Sequence, residues 1–250
     1  MIYVCIPSYN EAPTVGLLLW KIRQVFASFP REYQLLVGDD GSTDATAEIL
    51  EPYAKVLPLT IVRHSRRQGY ARTVEELLQL AQSRSDRPKR DSAILMHADF
   101  SHGPEYLPDF VRRLESGADL VVGEATLQGE PSRSRRLVRR WAPLLLRRAV
   151  KVPGVADTVS GFVAFRLMVL RGMLQSGKDS FKGEGWAANA ELIGSAARQA
   201  RRIESVGVIE RHDLRNRESR VRPLDTLRQL WRAGGSIRLA PPSRAEEAVS

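Results

Sequence analysis

The stretches Asp39-Asp40-Gly41-Ser42-Thr43-Asp44 and His97-Ala98-Asp99 hold the residue types best suited to chemistry in this sequence. Neighbouring carboxylates accept hydrogen bonds from the imino groups of a base or from hydroxyls. A histidine two residues from an aspartate, near the end of a strand, can present both side chains to one side, as the ligands of a metal must be. Gly41 permits a positive φ, and Ser42 or Thr43 can cap a helix that follows. A plain helix-capping loop uses the same residue types as the first stretch, and a hydrogen-bonded strand-end histidine with no metal role explains His97. On residue types alone these readings stand beside the chemical ones.

Both stretches follow short apolar runs, and the elements around them decide where they sit. Strands are predicted at 2–6, 34–37, 59–62, 93–96 and 119–122. Between the first two, Val15, Leu18, Leu19, Ile22, Val25 and Phe26 recur at spacings of three and four, and Pro13 is tolerated near the start of the helix they predict. A second helix is expected to start near Ser42 or Thr43. A third carries Val74, Leu77, Leu78 and Ala81 on one face, and a fourth runs from about Pro104 to near Gly117. This is an α/β pattern, a mostly parallel, doubly wound sheet with helices on both faces. Ligands of such sheets bind at the carboxyl ends of the strands, which singles out residues 7–11, 39–44, 64–69, 97–102 and 123–126. The first of these loops reads PSYNEAP rather than G-x-G-x-x-G, so a dinucleotide fold is excluded. A G-x-x-x-x-G-K-[ST] phosphate loop is absent, and so is a G-x-S-x-G elbow between a strand and a helix.

A chain of 250 residues, 43% hydrophobic, can bury a sizeable core as one large domain. Cys5 lies in the apolar run IYVCI, where a buried thiol is expected, and a lone cysteine rules out a disulfide within the chain. No run of eighteen apolar residues and no basic leader is present, so a cytoplasmic protein is expected, with docking at the cytoplasmic membrane face open to it. The net charge of +9 points to an anionic partner, although arginine supplies 32 of the 38 basic residues and clusters carry more meaning than the total. Residues 131–156 hold eight Lys and Arg residues and no acid. There Leu137, Trp141, Leu144 and Leu145 share a helical side with Arg136, Arg140 and Arg147 on another, and Pro143 should kink or interrupt the helix. Peripheral docking on an anionic membrane and an ordinary surface helix both account for that pattern. Further on, DTVSGFVAFR predicts a short strand after a turn. Helices follow through Leu167, Leu170 and Leu174 and at 186–200, then a strand at 202–209, a last helix at 224–232 and a disordered tail at 233–250.

Taken in order and separation, PSYNEAPTV, DDGSTD and HADFSHGPE, with DTVSGF downstream, resemble the family 2 glycosyltransferases of the GT-A fold, especially the polyprenol (dolichol) phosphate mannosyltransferase-like branch. The resemblance implies a single GT-A domain over 1–232, with a nucleotide-binding half at about 1–125 and an acceptor-side half at about 126–232 bearing a C-terminal helical, amphipathic elaboration. It implies inverting transfer of a sugar from a nucleotide-sugar donor, a GDP- or UDP-sugar, to an acceptor such as a polyprenyl or dolichyl-type lipid phosphate. Carried over by residue, Pro7, Tyr9 and Glu11 contact the nucleoside, Asp39 and Asp40 belong to the nucleotide-sugar site, and Asp40 hydrogen-bonds the base. Ala98 and Asp99 match the second and third positions of the D-x-D motif that holds a divalent cation on the donor diphosphate. Arg215 or Arg220 matches a late basic residue that contacts phosphate.

The sequence departs from that pattern at neighbouring positions. His97 replaces the first Asp of D-x-D, Ser101 a glutamine, Gly103 a proline, and Ala125 an arginine. An imidazole can ligate but brings no anion, so a site of His97 and Asp99 should bind metal weakly and tolerate Mn²⁺ better than Mg²⁺. The charge on the departing diphosphate is then met by metal or by Arg215 and Arg220. A lipid phosphate is already ionised and needs no general base, whereas a hydroxyl acceptor does. Asp157 and Glu184 are the candidates for that base, and a turn or capping role is open to either. Two alternatives stand: a catalytically impaired nucleotide-sugar-binding protein with a degenerate D-x-D motif, and a transferase with a soluble saccharide acceptor. Nucleic-acid binding has only charge in its favour and no reading motif, so it is not expected.

Overall fold

The computed structural model describes residues 1–128, 152, 154–174, 181–211 and 228. Most of the basic stretch 131–156, the helix expected at 224–232, Arg215, Arg220 and the tail at 233–250 lie outside the described residues.

Strands β1 (Ile2–Ser8), β2 (Tyr33–Asp39), β3 (Leu59–Arg63) and β4 (Ser92–Leu95) are joined by helices α1 (Val15–Ser28), α2 (Thr46–Ala54) and α3 (Tyr70–Arg84). A turn of 3-10 helix at Pro104–Tyr106 leads into α4 (Leu107–Glu115) and then β5 (Leu120–Gln128). Farther along come β6 (Val163–Arg166), α5 (Leu167–Leu174), α6 (Trp186–Gln199) and β7 (Ile203–Arg211). The strands form one sheet in the order β3-β2-β1-β4-β6-β5-β7.

The run Ile2-Tyr3-Val4-Cys5-Ile6 is apolar at every position because both faces of β1 are covered. Tyr3 and Cys5 face a core that contains Leu36 of β2 and Val74, Leu77, Leu78 and Ala81 of α3, with α5 and α6 completing it. Ile2, Val4 and Ile6 face the opposite core, built on Leu18, Leu19, Ile22 and Phe26 of α1 and Phe110 and Leu114 of α4. Alternation along one strand therefore serves two cores. Cys5 is fully buried, with Sγ 3.8 Å from the Leu77 carbonyl oxygen, and burial pushes its thiol pKa up, which is the inert buried thiol expected.

The sheet differs in one respect from five parallel strands in succession. Strand β6 inserts antiparallel between β4 and β5, pairing Leu95 with Val163 on one side and Val122 with Val163 on the other. Strand β5 is longer than predicted and runs parallel to β7 from Leu120↔Ile203 to Gln128↔Arg211. Periodicity reports which faces are buried and says nothing about neighbours, so the insertion was not readable from the pattern. Its consequence is local to function. Because β6 runs against β4, the turn ahead of it, with Ser160 and Gly161, arrives at the carboxyl end of β4.

Arg166, at the end of β6, fastens this insertion. Its Nε lies 3.3 Å from Asp119 Oδ1, and its guanidinium donates to the carbonyls of Lys89 at 2.8 Å, Ala118 at 3.2 Å and Leu114. A planar fork of five donors suits that arrangement and an ammonium does not. Arg166→Leu should therefore lower unfolding stability by about 2–4 kcal/mol, since it strands a largely buried carboxylate and several carbonyls. Arg166→Lys should recover less than half of the loss. Urea denaturation followed by circular dichroism measures both.

Candidate active site at the carboxyl edge of the sheet

The chain turns from β1 toward β2 and β3 on one side and places β4 on the other, so the topological switch point lies between β1 and β4. Registers Ser8↔Asp39 and Asp39↔Arg63 bring the carboxyl ends of β1, β2 and β3 level, and β4 ends beside Cys5 of β1 at Leu95. The loops holding Pro7, Tyr9 and Glu11, Asp39 and Asp40, His64, and His97 and Asp99 all leave this one edge.

The first two loops are stitched into one unit. Asn10, at φ 54°, donates its backbone N–H to the Ser42 hydroxyl oxygen at 2.9 Å and accepts the Thr43 N–H on Oδ1 at 2.8 Å. The Glu11 N–H donates to Thr46 Oγ1 at 2.9 Å and the Ala12 N–H to Asp44 Oδ2 at 3.2 Å. Asp44 also accepts the Thr46 N–H at 3.0 Å. Burial works to raise the Asp44 pKa, but its hydrogen bonds with Thr46 and Ala12 outweigh that and hold it below the usual carboxylate value. Ser42, Thr43 and Asp44 are thus committed to the neighbouring loop, and α2 begins at Thr46 rather than at Ser42 or Thr43. Glu11 is buried, and its Oε2 accepts the Thr14 hydroxyl at 3.3 Å.

Asp39 and Asp40 are both 4% exposed and have different partners. Asp39 Oδ1 accepts the Ser42 N–H at 3.1 Å. Asp40 holds the loop between β3 and α3: Oδ1 accepts the Gln68 N–H at 2.6 Å and lies 2.8 Å from His64 Nδ1, and Oδ2 accepts the Gly69 N–H at 2.9 Å. Three protein groups therefore occupy the carboxylate that the family resemblance assigns to the base. Arg67 in the same loop lies over the Tyr9 ring, 4.4 Å from its centroid, with Nε 4.0 Å from Asp40 Oδ2. Gly41 makes the approach of the two loops feasible. It sits at φ +67°, and a β-carbon there would lie 2.6 Å from the Arg66 carbonyl carbon.

The opposite wall gathers around Tyr70, the first residue of α3. Its phenol, kept neutral by burial that raises its pKa, donates to Asn189 Oδ1 at 2.7 Å, and Asn189 donates to the Val159 carbonyl at 3.2 Å. The His97 ring stacks on the Tyr70 ring with centroids 5.3 Å apart and planes 13° from parallel. His97 Nε2 abuts the backbone of Gly161, where an added β-carbon would lie only 1.9 Å away. Asp99 is buried, accepts the Ser101 N–H on Oδ1 at 3.1 Å and takes the Ser101 hydroxyl as well, with Phe100 between them at φ 60°. Asp99 and Glu184 both act electrostatically on the Tyr70 phenol. His102 tilts against Phe162 at 5.4 Å and bridges to Glu210 of β7, in keeping with a turn-stabilising part.

Glu184 and Asp157 have structural partners. Glu184 Oε2 accepts the Ala71 N–H at 3.2 Å, so its carboxylate sits at the N-terminus of α3, where unpaired N–H groups and the helix dipole favour an anion. Burial of that carboxyl nevertheless raises its pKa, with the Ala71 and Tyr70 N–H groups opposing the shift. Asp157 Oδ1 accepts the Val159 N–H at 3.2 Å, closing a turn. Ala98 is buried between His97 and Asp99. Among the described residues no three His, Cys, Asp or Glu side chains gather as a metal cage would. The fold thus brings together Pro7, Tyr9, Glu11, Asp39 and Asp40 as one wall and His97, Asp99 and Glu184 around Tyr70 as another. Residue types gave no signal for His64, Arg67, Gln68, Tyr70 or Asn189, whose parts come from loops meeting in space.

The space at Gly161 is testable. Gly161→Ala should cost about 1–3 kcal/mol of stability by forcing His97 off its place, while Gly207→Ala on β7, where an added β-carbon meets nothing within 4 Å, should stay within about 0.5 kcal/mol of the parent. Paired denaturant melts compare the two.

Comparison with known proteins bears on the family and the fold. The model of Glycosyl transferase family 2 matches residues 3–174. A dolichol-phosphate mannosyltransferase of Pyrococcus furiosus is 27% identical over 175 residues, covering 68% of this chain and 47% of that protein. An undecaprenyl-phosphate 4-deoxy-4-formamido-L-arabinose transferase of Pseudomonas fluorescens is 29% identical over 174 residues, covering 68% of this chain and 48% of that protein. The chain spans about half the length of the curated relatives it matches. In fold it is similar to glucosyl-3-phosphoglycerate synthase of Mycobacterium tuberculosis, solved with Mn²⁺, UDP and glucosyl-3-phosphoglycerate, at a TM-score of 0.64 and 21% identity over 97% of this chain and 81% of that one. It is likewise similar to S. aureus TarS 1-349 in complex with UDP, at a TM-score of 0.64 and 19% identity over 98% of this chain and 68% of that one. With β1 through α5 inside the family model and the two stitched loops at the switch point of a GT-A sheet, the chain belongs to Glycosyl transferase family 2.

Proposed function

We propose that the protein transfers a sugar, with inversion, from a nucleotide-sugar donor to a polyprenyl-type lipid phosphate. The observation that carries this reading is the joined wall of Pro7, Tyr9, Glu11 and Asp39 facing the switch point of a family 2 sheet, beside Asp99 at the end of β4. The wall suits a nucleoside: Tyr9 offers an aromatic ring already covered by Arg67, and Asp39 stands at the bottom as an acceptor for a base. Asp40 acts there at one remove, through the loop it holds. The names of the two curated relatives support a lipid-phosphate acceptor. No helix among the described residues is long and apolar enough to cross a membrane, and the basic residues of 131–156 supply charge for docking on an anionic one.

Asp99 is the residue of the altered D-x-D motif that fits a divalent cation, an anionic oxygen ligand in a mostly buried position. His97 fits less well, since its Nε2 is turned to Gly161 and its face to Tyr70. Such a cation, when bound, would neutralise the donor diphosphate. Arg215 and Arg220 are proposed to share that task. The acceptor phosphate oxygen attacks the anomeric carbon from the side opposite the leaving diphosphate and, being ionised already, passes no proton to the protein. Glu184 and Asp157 are then free to serve as the cap and the turn residue that their hydrogen bonds describe.

Purified protein supplied with GDP- and UDP-sugars, polyprenyl phosphate in detergent and Mn²⁺ or Mg²⁺ should release nucleoside diphosphate only when the lipid is present. Binding of nucleotide with no turnover on any acceptor would instead favour a binding protein, and turnover on a soluble saccharide alone would reassign the acceptor. Asp99→Asn should lower kcat/KM by about 100-fold or more, the scale of one lost electrostatic contact in a closed site. Glu184→Gln should leave kcat within about threefold on the lipid acceptor, as no general base is required; a loss on the order of 100-fold would place a proton transfer at Glu184.

A further inference from the structure

His64 is an enclosed ionisable side chain at the root of the donor wall. Its side chain is 4% exposed, Nδ1 lies 2.8 Å from Asp40 Oδ1, and Nε2 lies 2.6 Å from Glu76 Oε2. A neutral imidazole has one donor and one acceptor nitrogen, so it can satisfy only one of two carboxylates and turns a lone pair on the other. An imidazolium donates to both. Against two carboxylate anions only the charged ring donates at both contacts, and it joins the end of β2 to α3 across the root of the loop that carries Arg67.

We propose that His64 is a positioning residue for the donor site, whose imidazolium clamps Asp40 to Glu76 and thereby holds the Arg67–Tyr9 stack in place to receive the nucleoside. The clamp works through Asp40, which also accepts the Gln68 and Gly69 N–H groups, so the backbone that presents Arg67 is fixed from the same carboxylate. The charged groups around His64 are Asp40 just after β2, Glu76 and Arg72 from α3, and Arg67 from its own loop, while Glu184 from the turn before α6 acts on Asp40 and Arg67. Arg72 holds Glu76 at 2.9 Å and Arg67 stands 4.0 Å from Asp40, so neither carboxylate is left to repel the other when the ring is charged. Burial alone would lower the His64 pKa, but the hydrogen bonds to Asp40 and Glu76 and their charges raise it above its ordinary value. The sign follows directly. The clamp is complete below the ordinary histidine pKa of about 6.5 and is lost as pH rises through the higher value in the folded protein.

This inference rests on the nucleotide-sugar reading, and its test separates the two. Binding of UDP and GDP is measured by calorimetry from pH 6 to 9 for the parent chain, His64→Gln and Glu76→Gln, with circular dichroism melts confirming that each is folded. Parent affinity should fall by roughly tenfold as pH rises past the His64 pKa, the equivalent of one pKa unit of coupling. Glu76→Gln should move that midpoint to lower pH, because one of the two carboxylates that raise it is gone. His64→Gln should bind about tenfold more weakly at pH 6 and lose the extra slope. Titration of the ligand's own terminal phosphate is common to all three proteins and cancels in the comparison. In a second readout that needs no ligand, hydrogen-exchange protection of the Gln68 and Gly69 amides should drop in His64→Gln. A His64→Gln protein with the parent's affinity, pH profile and amide protection would overturn the clamp and leave the nucleotide site standing. Failure of the folded parent to bind either nucleotide at any pH would overturn both.

Discussion

Asp40 is the group on which the wall built from the first three strand-end loops depends. It is a buried anion at the end of β2, and burying an anion is tolerable only where donors converge on it. Here the donors are two backbone N–H groups and an imidazole from the loop between β3 and α3. Satisfying the carboxylate therefore orders that loop, and the loop in turn sets Arg67 over Tyr9. A single electrostatic requirement thereby shapes a surface formed by three separate segments.

The other wall obeys a steric rule in place of an electrostatic one. Strand β6 enters antiparallel at the end of β4, and the absence of a side chain at Gly161 leaves the space that His97 occupies. Tyr70 covers a face of the imidazole and is anchored by Asn189. In a site built this way the histidine at the first D-x-D position is a packed ring, and the anionic part of the motif is Asp99 alone. Under the function we propose, electrostatic stabilisation is accordingly shared between Asp99 and arginine.

The two walls meet at the start of α3. Tyr70 stacks on His97, and the Glu184 carboxylate receives the Ala71 N–H one residue later. Gly69 immediately before them is tied to Asp40 and sits at φ +108°, where a β-carbon would lie 2.5 Å from Glu184 Oε1. Donor wall, motif wall and the segment ahead of α6 are consequently joined within three residues. A disturbance at this junction reaches both sides of the site.

Much of this was legible in the sequence, for identifiable reasons. The apolar runs of β1 to β4 and the three-and-four spacing of α1 and α3 report burial, and burial fixes element type, so the strands, the helices and the loops at the carboxyl edge could be read in advance. The motifs PSYNE, DDGSTD and HADFSH carried the family by their order and separation along the chain. Pairing was a different matter. That β6 lies between β4 and β5, that Ser42 and Thr43 serve Asn10 and so delay α2 to Thr46, and that Asp40 is spent on His64 and a loop are contacts between residues distant in the chain. The sequence by itself determined the α/β class, the family and the segments that line the site, because each is encoded in local pattern. The tertiary structure alone decided which carboxylate faces which donor, because hydrogen-bond partners are chosen by proximity in space and leave no periodic trace along the chain.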